Sequence, residues 1–387
     1  MSTGKTDRIV IVGGGISGVA SAVSLASAGV PVVLLESGKL GGGATSLAQG
    51  WLHSGGAFAE ASSEMARLCL RSLQQTEAFC PQCLESPRSG MYYLTSDIQT
   101  PTNALKKAWG EAGLPWKEVG RNQLLAAIPE LNPELVQKAY LLPDRAFRPD
   151  VLTETLAATA RNAGVEIRTG VGVERVTSED GQATGVVTLQ GEEIAASHVI
   201  LSAASLPSLL EHPRTFLPDQ PEHTPAAATT ELVSVRPNLT QIPFVVVDRH
   251  QFNHIPHIGT SIFHSGVWRT AKTTSGLTKS EGDFESVWNT VQEFFPGFER
   301  EACLECHEWT GTSIEALGAD QIEPGRCPWP TVVNHGAEGG VRNLWSLYPG
   351  RATLWPVLAD LIREEILAKM DRGPLKAAPA PWNSQGN

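Results

Sequence analysis

The feature that most limits what this chain can become is a glycine spacing in its first twenty residues. Ile9 to Val12 is a short apolar run, and Gly13, Gly15 and Gly18 follow it as G-x-G-x-x-G. Ser21 to Ala28 has helical character, and Val32 to Leu35 is a second apolar run that ends in Glu36. Strand, glycine turn, helix, strand and terminal acid are the parts of a dinucleotide-binding βαβ unit. Gly13 permits the tight turn. Bare backbone at Gly15, with Ile16 and Ser17 after it, lets a pyrophosphate approach helix N–H groups whose dipole favours an anion, and Gly18 lets helix and strand pack closely. Glu36, with Ser37 beside it, stands where a carboxylate accepts hydrogen bonds from a ribose diol. An acid at that place disfavours a 2′-phosphate, and so NADP.

A second glycine cluster bears on which dinucleotide is bound. Gly41, Gly42 and Gly43 lead into Ala44, Thr45 and Ser46, then Gly50-Trp51-Leu52-His53. Here the chain resembles the D-amino-acid-oxidase-like (DAO) family of FAD-dependent oxidoreductases, the relatives of glycine oxidase, sarcosine oxidase and glycerol-3-phosphate dehydrogenase. The resemblance implies FAD, with Gly43, Ala44 and Thr45 beside the pyrophosphate and Gly50, Trp51 and Leu52 beside the flavin ring. The T-S-x(6)-H-x-G shape from Thr45 to Gly55 is most similar to the alcohol-oxidising members. The resemblance also implies that the backbone at Val173 holds the adenine and that the strand ending in Ser202 and Ala203 returns to the cofactor. Ala204 stands where relatives usually carry glycine.

Further along, helices are predicted over residues 57–79, 103–112, 121–128, 151–163, 280–294 and 354–370. Strands are predicted at 90–95, 139–142, 165–169, 172–176, 184–189, 198–202, 231–235, 244–247, 260–268 and 343–347. The implied fold class is α/β, a Rossmann-type FAD-binding domain intertwined with an α+β substrate domain built on an antiparallel sheet. Residues 1–80, 145–212 and 310–372 fall to the first domain and 81–144 and 213–309 to the second. The Pro- and Ala-rich residues 373–387 read as a flexible tail.

The candidate chemistry is sparse, because a flavin needs little acid–base help to take a hydride; the protein orients the substrate and stabilises charge on the flavin. His53 follows the flavin-facing segment and is a candidate base. His264 sits on the substrate-side sheet, where period-two spacing aims it and Trp268 at one pocket. Glycine-oxidase-like members carry G-H-x-R-N-G ahead of an Ala-Pro pair, and an ungapped match sets Pro349 at their carboxylate-binding arginine. Arg351, two positions on, is the candidate substitute, with Gly350 beside it near the flavin edge. Two C-x-x-C pairs, Cys80/Cys83 and Cys303/Cys306, raise zinc and haem attachment. Nothing else in the chain supports either, and no metal is expected.

Composition enters as an exclusion. The 387 residues carry 30 Lys and Arg against 41 Asp and Glu, a formal net charge of −11, which argues against a nucleic-acid surface. No stretch reaches the roughly 18 apolar residues of a membrane span, so no integral membrane segment is expected. The N-terminus lacks a basic-then-apolar signal pattern, and the cytoplasm is the expected location. A small-molecule substrate is expected, while the residues leave its identity and the electron acceptor (oxygen, quinone or protein) open. They also leave two other readings: an NAD-dependent dehydrogenase built on the same fingerprint, and a flavin-binding partner protein that oxidises no substrate itself.

Overall fold

The computed structural model describes residues 7–86, 89–202, 223–248, 252–270, 283–318, 329–337, 339–370 and 378–383. The first half of the chain runs β1 (Ile9–Val12), α1 (Ile16–Ser27), β2 (Val32–Glu36), β3 (Trp51–Leu52), α2 (Ser63–Phe79), β4 (Met91–Thr95), α3 (Thr102–Ala112), β5 (Lys117–Val119), α4 (Arg121–Ala127), β6 (Lys138–Leu142), β7 (Arg145–Ala146) and α5 (Pro149–Asn162). The second runs β8 (Glu166–Thr169), β9 (Val173–Glu179), β10 (Gln182–Thr188), β11 (Glu193–Ala195), β12 (His198–Ser202), β13 (His223–Arg236), β14 (Phe244–Val246), β15 (Asn253–His257), β16 (Thr260–His264) and β17 (Arg269–Thr270). It ends with α6 (Phe284–Phe294), β18 (Glu305–Gly318), β19 (Thr331–Asn334), β20 (Leu344–Tyr348) and α7 (Trp355–Lys369).

One sheet has the order β19-β20-β12-β1-β2-β8, parallel except for β19 at its edge. Its central strands are apolar on both sides, as strands covered on two faces must be. One face packs on α1, α5 and α7, through residues such as Val23, Leu156 and Leu358. The other face meets the small β9–β11 sheet through Val176, Val186 and Ile194. The fold is therefore mixed α/β, with the glycine turn at the carboxyl end of β1, where open parallel sheets bind ligands.

The second sheet holds nine strands among the described residues, in the order β17-β13-β16-β15-β14-β4-β6-β5 with β18 also on β13. It is antiparallel apart from one parallel pairing, β4 with β14. The β13–β18 ladder runs the full length of both strands, from His223↔Gly318 to Arg236↔Glu305. Helix α6 covers one face with Val287, Trp288, Val291 and Phe294 against Val233, Val235, Phe244 and Phe263.

Several expectations are corrected. The helix predicted from residue 57 begins only at Ser63, because Ser62 Oγ accepts the Met65 N–H at 3.1 Å and caps it. The helix predicted from residue 280 begins at Phe284, capped by Asp283; residues 280–282 lie outside the described residues. The strand predicted over 260–268 ends at His264, where the Gly266 N–H turns back to the His264 ring. The expected domain boundary at 310 falls inside β18, whose residues all pair with the substrate-side sheet. The expected flexible tail does not hold for residues 378–383. Ala380 and Trp382 are buried, and the Trp382 indole packs 4.7 Å from Trp355. The apolar area of one indole outweighs a local composition that carries no periodic signal.

Candidate active site

The glycine turn joins β1 directly to α1. Gly13 has φ +106, a left-handed conformation that favours glycine, and its N–H bonds the Leu35 carbonyl at 2.8 Å. A Cβ at Gly18 would overlap the Gly13 carbonyl oxygen, so helix and strand touch backbone to backbone. Glu36 braces the turn: its Oε2 accepts the Gly14 N–H at 2.7 Å, and its Oε1 accepts the Gly38 N–H at 2.8 Å and the Ser37 hydroxyl at 3.2 Å. The Val171 N–H bonds the Glu36 carbonyl, which brings the segment leading to Val173 against the same corner. The second glycine cluster folds over the start of α1. The Gly41 N–H bonds the Gly14 carbonyl, and Thr45 Oγ1 accepts the Ile16 N–H at 3.2 Å, with Gly43 and Ala44 in the same turn. Ser17 is buried in the first turn of α1. Ala203 lies outside the described residues.

The segment from Gly50 to Ser54 is held by a residue that the sequence did not mark. Gly50 (φ +81) accepts the Phe147 N–H, and β3 pairs Trp51 with Ala146 and Leu52 with Arg145. Asp144, fully buried in the turn before β7, gathers four donors. They are Trp51 Nε1 at 2.9 Å, the Ser54 N–H at 3.0 Å, Tyr93 OH at 3.1 Å and the Ser54 hydroxyl. Burial raises the Asp144 pKa, and its hydrogen bonds oppose that shift. The carboxylate thus ties residues 51–54 to the substrate-side sheet.

At the other end of that segment the three candidate chemical residues meet. The His53 ring stacks on Trp51 at 4.1 Å, and its backbone N–H donates to Thr353 Oγ1 at 2.9 Å. His53 is buried, and its Nδ1 has no hydrogen-bond partner among the described residues. Burial, then the charges of Arg351 and His264, push its pKa well below the usual value. Trp268 bridges two of the three, its ring 5.7 Å from the His264 ring and 4.7 Å from the Arg351 guanidinium, and Thr353, which receives the His53 N–H, is two residues from Arg351. His264 is lowered to about 3 by burial and then by Arg351. Its Nδ1 receives the Gly266 N–H at 2.6 Å, which leaves the proton on Nε2.

Arg351 follows Gly350 (φ +66) in the loop before α7. Its guanidinium lies 4.7 Å over the Trp268 ring and donates to Glu315 Oε1 at 3.3 Å and to the Gly350 carbonyl at 3.2 Å. Ser313 Oγ donates to the same Glu315 oxygen at 3.2 Å. Glu315 is buried on β18 and is the second residue missed in the sequence. An acid inside an apolar alternation was the available signal.

The other histidines on this sheet have structural partners. His254 meets the Ile242 carbonyl and Ser261 Oγ, and His257 meets Glu85 and the Gln49 carbonyl. The two cysteine pairs lie in different cores, Cys80 and Cys83 under α5 and Cys303 and Cys306 beside α6. Among the described residues no group of three or more His, Cys, Asp or Glu is placed to hold a metal ion. Nor is any described helix long and apolar enough to cross a membrane.

Comparison with known proteins bears on this architecture. Over 207 residues the chain is 30% identical to a subunit of the anaerobic glycerol-3-phosphate dehydrogenase of Escherichia coli (strain K12), covering 52% of this chain and 38% of that protein. Over 210 residues it is 29% identical to the glycine oxidase of Pseudomonas aeruginosa, covering 52% and 56%. The chain thus spans well under two thirds of the length of these relatives. Among solved structures, glycine oxidase from Geobacillus kaustophilus superposes with a TM-score of 0.72 at 22% identity, over 97% of this chain and 98% of that one. L-proline dehydrogenase from P. horikoshii superposes at 0.75 with 18% identity, over 96% of each, and both share the fold. The model of the family described as FAD dependent oxidoreductase (DAO) matches residues 8–345, which takes in the glycine turn, the flavin-facing segment and most of both sheets. With that match over most of its length, the chain belongs to the DAO family of FAD-dependent oxidoreductases.

Proposed function

We propose that the chain removes a hydride from a C–H bearing an amine or a hydroxyl in a small organic acid, giving an imine or a carbonyl. The observation that carries this reading is the convergence of residues far apart in sequence: His53 stacks on Trp51 and is tied to Thr353, while His264 and Arg351 both flank the Trp268 ring. The residues suit the cofactor. Helix α1 opens on Gly15 in extended backbone, and a Cβ there would come within 3.3 Å of the Thr45 hydroxyl, so bare backbone keeps the helix N-terminus accessible to a pyrophosphate. FAD bound along this path supplies the acceptor for the hydride and its electron pair.

The chain's own side chains then divide the remaining work. Arg351 holds the substrate carboxylate, a charge-assisted contact worth roughly 1.5–3 kcal/mol. His53, neutral through burial, offers Nδ1 to the proton that leaves the amine or hydroxyl. His264, protonated on Nε2, donates a hydrogen bond and does not act as a base. Gly350 and the start of α7 set backbone N–H groups near the charge that develops in the reaction. Residues 1–80, 145–212 and 310–372 are assigned to the FAD-binding domain and 81–144 and 213–309 to the substrate domain, with the last boundary moved on to the end of β18, which pairs with β13 along its whole length. The names of the relatives, glycerol-3-phosphate dehydrogenase and glycine oxidase, support both hydroxyl and amine oxidation. Family membership does not favour the NAD-dependent alternative. Six cysteines in 387 residues, too few for a disulfide framework, support a cytoplasmic setting.

The test is an absorbance spectrum of purified protein, then anaerobic titration with amino acids and hydroxy acids. Yellow protein that releases FAD on heating and bleaches with one of these classes is the expected result. Colourless protein that binds NADH instead overturns the reading.

A further inference from the structure

We infer that Glu315 sets the charge of the substrate, making this a site for amino acids held as zwitterions and selecting against hydroxy acids and phosphate esters. The inference rests on the reading above that the substrate lies beside His53 and Arg351, and it narrows that reading to one substrate class.

The ladder of β13 fixes which side chains share a face. In its register Leu232 pairs with His264 and Ala226 pairs with Glu315. Positions 226 and 232 differ by an even number, so His264 and Glu315 stand on one face of the sheet. Glu231, at an odd position, belongs to the opposite face, and its buried carboxylate is met there by Arg269. On the His264 face Arg351 reaches Glu315 and the two are paired, while Arg236 and Glu305, at the other end of the ladder, pair with each other. Arg351 and Glu315 are largely shielded, with side-chain exposures of 13% and 4%. The two imidazoles beside them add no charge.

The Arg351–Glu315 pair is therefore neutral as a unit before a substrate arrives. A carboxylate brought to Arg351 also comes close to the Glu315 carboxylate, whose charge is screened little in a buried setting. A hydroxy acid carries nothing to offset that repulsion, and a phosphate monoester brings about two negative charges. An α-amino acid brings an ammonium group two bonds from its carboxylate. It answers both charges of the pair at once, carboxylate to Arg351 and ammonium to Glu315. Making or breaking one charge-assisted hydrogen bond corresponds to roughly ten- to a hundredfold in affinity.

The test uses the FAD-loaded protein and follows the shift of the flavin absorption bands on titration with sodium acetate, inorganic phosphate and glycine. The comparison is between the native chain and Glu315→Gln, whose amide oxygen still accepts from Arg351 and Ser313. Native protein is expected to bind acetate and phosphate weakly. Glu315→Gln is expected to bind both roughly ten- to a hundredfold more tightly, and to lose glycine affinity by a similar factor. Equal anion affinity in the two proteins overturns the inference. So does native protein that bleaches with hydroxy acids and not with amino acids, an outcome that leaves hydride removal at this site intact. A flavin spectrum that responds to none of the three probes counts against the site itself. If Glu315→Gln fails to retain FAD, Glu315→Asp decides: with the charge kept, it must reject acetate and phosphate as the native chain does, and tight anion binding by it overturns the inference.

Discussion

The two sheets of this protein build their halves of the site in opposite ways. The glycine-rich end is assembled by neighbours: Gly13 and Gly18 touch backbone to backbone, and Glu36 and Thr45, within about one βαβ unit, each accept a backbone N–H of the same turn. The substrate end is assembled by strangers. His53, His264, Glu315 and Arg351 come from four separate segments, and they meet because β13 pairs with both β16 and β18 while the loop before α7 closes over them. A pyrophosphate is the same in every relative, so a compact, backbone-made cradle serves it. A substrate differs between relatives, so its contacts are side chains on long strands, where a substitution at one period-two position changes the pocket and leaves the fold in place.

That contrast can be broken most severely at Gly18. Any Cβ there overlaps the Gly13 carbonyl, so Gly18→Val should abolish FAD retention and destabilise the first sheet as a whole. The checks are flavin content after purification and a circular-dichroism melt. Retention of stoichiometric FAD would show that helix and strand can separate at no cost.

Asp144 lies on the seam between the two halves, and its effect should be intermediate. Asp144→Ala leaves four buried donors without an acceptor, at a cost of about 3 kcal/mol or more in stability. Asp144→Asn keeps an oxygen for the three donors on Oδ1, and the Ser54 hydroxyl can turn to accept from the new amide, so it should recover most of that loss. Urea midpoints of the three proteins measure the difference. Equal losses for Ala and Asn would mean that the charge, and not the acceptor geometry, holds the segment.

The smallest expected effect is a pH gradient between the halves. Burial holds His254 and His264 at about 3, on β15 and β16. In the unfolded chain each returns to about 6.5. A lowered folded value means that the stability is fully present above pH ~6.5 and is lost as pH falls toward 3, by about 1.4 kcal/mol per pH unit for each group. In the first sheet the lowered histidines are His335, held at about 4 beside Ser346, and His198 of β12, lowered by burial. Hydrogen exchange, corrected for its intrinsic pH dependence, should therefore accelerate more at pH 5, relative to pH 7.5, across Asn253–His264 than across Val32–Glu36, a strand of the first sheet that holds no histidine. Equal acceleration in both would remove the buried histidines as the cause.

What was legible in the sequence follows the same division. The glycine spacing, the terminal Glu36 and the turn at Thr45 could be read because each acts on residues close by, and local geometry leaves few other uses for them. His53, His264 and Arg351 were nameable as types in suggestive places. Nothing in their spacing stated that they face one another. Asp144 reads as a turn residue after an apolar strand, and only the approach of Trp51, Ser54 and Tyr93 makes it a buried clamp. The tail misled in the other direction, since Pro and Ala carry no periodicity while Trp382 alone finds a core to enter.

The sequence by itself determined the cofactor class, because the glycine spacing, the acid closing β2 and the second glycine cluster are local patterns with few other uses. Tertiary structure alone decided which charge stands beside Arg351. Arg351 is an anion-binding residue in isolation and half of a neutral pair beside Glu315, and these two, 36 positions apart, are brought together by the pairing of β18 with β13. Electrostatics depend on distance through space, and distance along the chain does not report it.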